Sequence, residues 1–138
     1  MTSYESAIKT IYADDEVIFN TLSNLKNAEK VKDKIPEDKV KNLKFEEDSI
    51  SFSVNPVGDL KLKIVDKEAH KTIKFGAEKS PIDFFVWVQI KQYAEKESKL
   101  KVTLKAKLNP MIKMMLSGKL EEMVNVLADT LATFSYEE

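Results

Sequence analysis

The chain has 138 residues, of which 43% are hydrophobic and 33% charged, a size and composition typical of one folded domain with a real core. It has no cysteine, no apolar run near the ~20 residues that a membrane-spanning helix needs, and no signal-peptide pattern at its start. We therefore expect a cytoplasmic protein of one domain, residues 1–138, without stable membrane insertion.

All 22 basic residues are lysine, and the formal net charge is −1. Without arginine the chain lacks the bidentate guanidinium group that reads guanine edges and grips phosphates. A charge close to zero also gives no general attraction to polyanions. We expect no nucleic-acid partner.

The first predicted element is a strand over residues 4–12, which are rich in β-branched and aromatic types. Its inward register is ambiguous from the alternation alone. The two possible inward sets are Tyr4, Ser6, Ile8 and Thr10, or Ala7 and Ile11.

Two short helices are predicted next. Asp14 or Asp15 can cap the first, and Asn27 can cap a second helix that Pro36 ends. Helices of this length are marginal alone, so we expect both to pack on a sheet.

Six alternating runs follow, in which apolar side chains on one face mostly oppose lysine, serine or threonine on the other. They are Val40–Phe45, Ser49–Val54, Leu60–Val65, Thr72–Glu78, Phe84–Tyr93 and Leu100–Leu108. Alternation with one charged face predicts an antiparallel sheet with one wet side. The short connections are those that hairpins require.

The last predicted element is a long helix from Asn109 to Phe134. Its apolar residues recur at steps of three or four, which suits one face of a helix. They are Ile112, Leu116, Leu120, Met123, Leu127, Leu131 and Phe134. A sheet is the only large partner predicted for this stripe.

This order of elements resembles the helix-grip fold of the START / SRPBCC superfamily, which includes lipid-transfer domains, plant pollen allergens and polyketide cyclase-like proteins. The resemblance covers essentially the whole chain and rests on topology. The glycine-rich loop of the pollen allergens is absent, as is the tryptophan-rich start of the heat-shock-chaperone activators. The predicted fold is α+β, a curved seven-stranded antiparallel sheet wrapped around the C-terminal helix, with two short helices after the first strand.

The resemblance implies an apolar cavity between the sheet and the last helix. The predicted ligand-binding residues are Phe52, Val54, Phe75, Val86, Val88, Leu104, Met111, Met115, Leu116, Lys119 and Met123. The predicted apolar arc of the helix runs from Met115 and Val126 through Ile112 and Met123 to Leu131, and Lys119 is the one charged residue inside it. Its ammonium could meet a ligand carboxylate, or its stem could pack on the stripe while the charge reaches water.

One end of the predicted sheet gathers all four prolines, because alternate connections of a meander lie at the same end. Apolar residues accompany them, so this end is a candidate pocket mouth rimmed by Ile35, Val57, Ile82 and Met111. Ordinary turn chemistry would also place prolines there.

The sequence predicts no catalytic residue, no metal site and no cofactor. His70 is the single histidine and falls in a charged turn at the end away from the proposed mouth. The paired carboxylates fall in caps, turns and the polar side of the helix, where they are typical of solvated surface. One histidine without cysteine gives no set of zinc ligands.

We therefore interpret the chain as a protein that binds a hydrophobic small molecule or lipid. An alternative is a protein-interaction module with a solid core, whose outer sheet face around Trp87 contacts a partner or a second copy of the chain. Lysine stems could instead cover Trp87. A polyketide cyclase-like enzyme is the third interpretation.

Overall fold

The computed structural model describes residues 1–25, 41–54, 58–80, 82–134 and 136, apart from the side chains of Val54 and Lys79. The elements within these ranges are β1 (Thr2–Glu5), β2 (Lys9–Ile11), α1 (Asp15–Leu22), β3 (Lys41–Phe45), β4 (Ser49–Val54), β5 (Gly58–Glu68), β6 (Thr72–Lys79), β7 (Phe84–Ala94), β8 (Glu97–Ala106) and α2 (Pro110–Thr133). The predicted order is confirmed. The second short helix, from Asn27 to Pro36, lies outside the described residues.

The strands form one antiparallel sheet in the order β1-β8-β7-β6-β5-β4-β3, with β2 also paired to β8. From β3 onward this is the predicted meander. Apolar side chains alternate along the strands and face the core on one side of the sheet. Several strands are longer than predicted, because charged continuations such as Asp66–Glu68 still pair with the neighbouring strand.

The predicted first strand is two strands, so the described sheet has eight rather than seven. Glu5 pairs with Thr103 and Lys9 pairs with Leu100, so four steps on the first segment face three steps on β8. Such an extra residue is a bulge, and it moves later side chains to the opposite face. Tyr4 is therefore buried before the bulge and Ile11 after it.

Helix α1 begins where an aspartate was predicted to cap it, but Asp14 does not use its side chain as a cap. Its carboxylate instead accepts hydrogen bonds from Lys96 N and Gln92 Nε2, both at 2.8 Å. The helix buries Ile18 and Phe19 and lies against β6 and β7. The start of α1 is thus fixed to the turn between β7 and β8.

Helix α2 occupies the predicted stretch. Asn109 is its N-cap, and the Asn109 side chain accepts a hydrogen bond from Ile112 N at 2.9 Å. Phe134 is its C-cap. The helix packs mainly on β8, β1 and β2, at one edge of the sheet.

Candidate functional site

The concave face of the sheet is apolar along its central strands. Its buried side chains there include Phe52, Leu60, Leu62, Phe75, Val86, Val88 and Leu104. Five of these are predicted ligand-binding residues, and the register places Phe75 opposite Val86 and Val86 opposite Leu104. The sheet therefore brings the predicted strand residues onto one surface. The side chain of Val54 is not described.

Helix α1 lies across the end of the sheet that carries the charged hairpin turns. The Phe19 ring meets the His70 ring edge to face, with centroids 5.7 Å apart. His70 is half-buried in the β5–β6 turn and has a φ of 63°. The His70 side chain thus contacts α1, at the end of the sheet away from the predicted mouth.

The opposite end of the sheet carries a rim of apolar side chains that keep contact with solvent. Ala77, Ile82 and Leu108 are half-buried, while Met111 and Met115 are 73% and 63% exposed. This is the end at which α2 begins. Ile82 and Met111 of the predicted mouth lie here, whereas Ile35 and Val57 fall outside the described residues.

Three faces of α2 can be distinguished. The first is a buried ridge at steps of four and three residues, formed by Leu116, Leu120, Val124, Ala128 and Leu131. This ridge packs on the sheet. Compared with the predicted stripe, the buried ridge is rotated about the helix axis toward Val124 and Ala128. As a result Ile112, Met123 and Leu127 of the predicted stripe are only half-buried.

The second face of α2 is a polar seam against β1, β2 and the link between them. The hydroxyls of Tyr4 and Ser117 are hydrogen-bonded at 2.7 Å. The N–H of Ala7 donates to Asn125 Oδ1 at 3.0 Å. The ammonium of Lys9 lies 2.6 Å from a carboxylate oxygen of Asp129. The seam fixes the helix to the edge of the sheet, and periodicity alone did not predict it.

The third face is an apolar flank on the other side of the ridge, formed by Ile112, Met115, Lys119, Met123 and Val126. At ~100° per residue, the flank and the seam lie roughly 100–120° to either side of the ridge. Met115 is exposed and the other four are half-buried. Because the seam faces β1 and β2, the flank lies on the side of the helix away from that edge. The flank holds three of the predicted ligand-binding residues together, namely Met115, Lys119 and Met123.

Three titratable groups among the described residues have a shifted pKa, and each shift has its own local cause. A hydrogen bond from Lys101 lowers the pKa of Glu5, and hydrogen bonds from Lys96 N and Gln92 lower the pKa of Asp14. Burial raises the pKa of Tyr136, whose hydroxyl donates to the carbonyl of Leu131 at 2.7 Å. Among the described residues no cluster of His, Cys, Asp or Glu could hold a metal ion.

Trp87 lies on the convex face, as the register predicted. The ammonium of Lys74 is 4.6 Å from the centre of the Phe85 ring and 5.2 Å from that of Trp87, and that of Lys105 is 5.6 Å from Trp87. An open depression of about 420 Å³ beside Trp87 is lined by Ser3, Glu5, Gln89, Thr103 and Lys105. Lysine side chains thus cover the outward rings, and a partner would have to displace them.

No family model matches the chain, and no curated protein matches it. Several solved structures do match the chain. Norcoclaurine synthase from Thalictrum flavum, in complex with dopamine and hydroxybenzaldehyde, superposes with a TM-score of 0.70 at 12% identity, over 95% of this chain and 84% of that chain. The protein TTHA0849 from Thermus thermophilus gives 0.68 at 16% identity, over 95% and 94%.

A START superfamily protein from Mycobacterium smegmatis gives a TM-score of 0.61 at 14% identity, over 94% of this chain and 96% of that chain. The chain has the helix-grip fold. The predicted resemblance is confirmed at the level of the fold. At these identities the roles of individual residues in the helix-grip neighbours are not transferred to this chain. No helix in the described part of this helix-grip chain is both long and apolar enough to cross a bilayer.

Proposed function

We propose that the chain binds a hydrophobic small molecule or lipid between the concave face of the sheet and the apolar flank of α2. The observation that carries the proposal is the position of the flank. The seam holds the other side of the helix against β1 and β2, so the flank is the side left toward the central strands. Two apolar surfaces would then line one cleft.

The lining of the proposed cleft combines strand and helix residues. The sheet would supply Phe52, Phe75, Val86, Val88 and Leu104, and Val54 stays a predicted member of the lining. The helix would supply Met115, Lys119 and Met123, with Leu116 at the border between the flank and the ridge. Nearly all of these are hydrocarbon or thioether groups, which suit an apolar ligand and offer shape rather than fixed polar contacts.

The exposed rim supports an entrance at the start of α2. Met111 and Met115 are 73% and 63% exposed and stand beside half-buried Ile82, and a cluster of exposed apolar side chains is typical of a binding surface. Methionine is flexible enough to follow ligands of different shape. The opposite end is covered by α1 through the Phe19–His70 contact, so we place the mouth at the rim, with Ile35 and Val57 as its remaining predicted members.

The structural neighbours agree with a small-molecule role. The norcoclaurine synthase structure is a complex of that protein with dopamine and hydroxybenzaldehyde. The helix-grip architecture of norcoclaurine synthase thus accommodates small aromatic molecules. For this chain the complex supports small molecules as the class of ligand. The activity of norcoclaurine synthase is not transferred to this chain.

Native mass spectrometry of the freshly purified chain tests the proposal most directly. We expect an adduct with the mass of a lipid or small aromatic molecule, and thermal stabilisation by at least one member of a panel of fatty acids, sterols and aromatics. The absence of both an adduct and any stabilisation would contradict the proposal.

A pair of matched variants locates the site. Met115→Lys places a charge on the flank beside the rim, whereas Met114→Lys places the same charge one residue earlier, at a position 88% exposed. We expect Met115→Lys to weaken binding about tenfold and Met114→Lys to leave it within about twofold. Equal losses in both variants would place the ligand elsewhere.

A further inference from the structure

Lys119 is the charged member of the apolar flank. Met115 lies four residues before it and Met123 four residues after it, so both neighbour its stem on the helix surface. Its side chain is half-buried. No carboxylate among the described residues forms an ion pair with its ammonium.

Three other lysines show what a partly buried ammonium does in this chain when a carboxylate is in reach. The side chains of Lys9, Lys99 and Lys101 are each 33% exposed, and each pairs with an aspartate or glutamate at 2.6 to 3.8 Å. These pairs lie on the sheet or at the seam. On the flank, Met115 and Met123 lie one turn to either side of Lys119, and the exposed Glu122, three residues after it, has an interaction of its own.

We propose that the ligand is an amphipathic carboxylic acid, whose apolar body lies in the cleft and whose carboxylate pairs with Lys119. This inference rests on the proposed function and adds the charge of the ligand to it. An ammonium with an apolar surround attracts a counter-charge more strongly than one in bulk water. The stem of Lys119 can lie along the two methionines while its head meets the acid.

The chemistry favours a carboxylate over a phosphate. A phosphate monoester carries about −1.5 to −2 charges near neutral pH and is usually held by several donors or an arginine fork. The flank presents one ammonium, and the chain has no arginine. One ammonium matches the single charge of a carboxylate.

The test compares acids with neutral analogues of the same shape on the whole 138-residue chain, by isothermal titration calorimetry. One pair is decanoate and decan-1-ol, and the other is 2-naphthaleneacetate and 2-naphthaleneethanol, so that the arms separate aliphatic from aromatic acids. The variants are Lys119→Met and, as the matched control, Lys113→Met at an exposed position of the same helix.

We expect the wild type to prefer at least one acid over its alcohol by about tenfold, and Lys119→Met to remove that preference while keeping the affinity for the alcohol. Raising the salt concentration should weaken only the acid, and Lys113→Met should behave as the wild type. Equal binding of acid and alcohol, or a preference that survives in Lys119→Met, overturns the inference while the proposed function stands. Binding of none of the four compounds would overturn the inference, whereas the proposed function would still be decided by the native mass spectrometry and the wider ligand panel.

Discussion

The backbone N–H of Ala7 donates a hydrogen bond to the side chain of Asn125 at 3.0 Å and so ties the edge of the sheet to the middle of α2. The Asn125 amide also donates to the carbonyl of Glu121 at 3.0 Å. Ala7 lies in the link between β1 and β2, where the chain leaves its ladder with β8. The Asn125 contact therefore replaces a sheet hydrogen bond with one to the helix.

Loss of the Asn125 acceptor is expected to destabilise the chain. We predict that Asn125→Ala lowers the free energy of unfolding by about 1 kcal/mol, because one inter-element hydrogen bond is lost. Asn125→Asp keeps the acceptor oxygen and should cost less. Urea unfolding followed by circular dichroism measures both changes, and equal stability of the alanine variant and the wild type would show that the Asn125–Ala7 hydrogen bond contributes nothing.

The Ser6 hydroxyl holds the bulge between β1 and β2. It accepts a buried hydrogen bond from Val102 N at 2.9 Å, while Ser6 N donates to the carbonyl of Val102, also at 2.9 Å. Ser6→Ala leaves the Val102 N–H without this partner, and we predict a loss of about 1–3 kcal/mol in the free energy of unfolding. The control is Ser3→Ala, on the convex face of β1. A loss no larger than that of the control would count against the role of Ser6.

The bulge also explains why the first strand was hard to predict. Each of the two possible inward sets was correct over part of the segment, since Tyr4 and Ser6 are buried before the bulge and Ile11 after it. Alternation assumes a constant period of two. The extra residue is held by a side-chain contact to β8, which lies about a hundred residues away in sequence, so a local pattern could not reveal it.

The later strands were predictable because each buries one face, which forces a strict alternation on the sequence. The rotation of α2 about its own axis could not be predicted in this way. An apolar stripe gives the mean direction of burial, but Ser117, Asn125 and Asp129 look like solvent-facing residues until their partners in β1 and β2 are known. These contacts turn the helix, which makes Met115 and Lys119 part of a flank rather than the centre of the packed face.

Acid should weaken the attachment of α1 to the β7–β8 turn. The backbone hydrogen bond from Lys96, followed by that from Gln92, lowers the pKa of Asp14 below its ordinary value of 3.8. A lowered pKa in the folded state means that this stabilisation is present above pH 3.8 and is lost as the pH falls through the folded value.

The corresponding experiment compares the wild type with Asp14→Asn by urea unfolding between pH 7 and pH 3. We predict that the variant is less stable at pH 7 and that the difference shrinks as the wild-type carboxylate becomes protonated. Glu16→Gln, which removes an exposed carboxylate from the same turn of the helix, controls for net charge. A difference that stays constant across this range would contradict the assignment to Asp14.

Trp87 is the only tryptophan of the chain, so its fluorescence reports the convex face alone. Because Lys74 lies over both Phe85 and Trp87, we predict that Lys74→Ala shifts the emission to longer wavelength and increases quenching by acrylamide. Lys44→Ala, on the same face near the far edge, should change neither.

The lysine cover also argues against pairing of two copies through this face, because Lys74 and Lys105 of one copy would approach those of the other. Analytical ultracentrifugation should therefore show no self-association that Trp87→Ala removes, and an association lost in that variant would favour the interaction module instead.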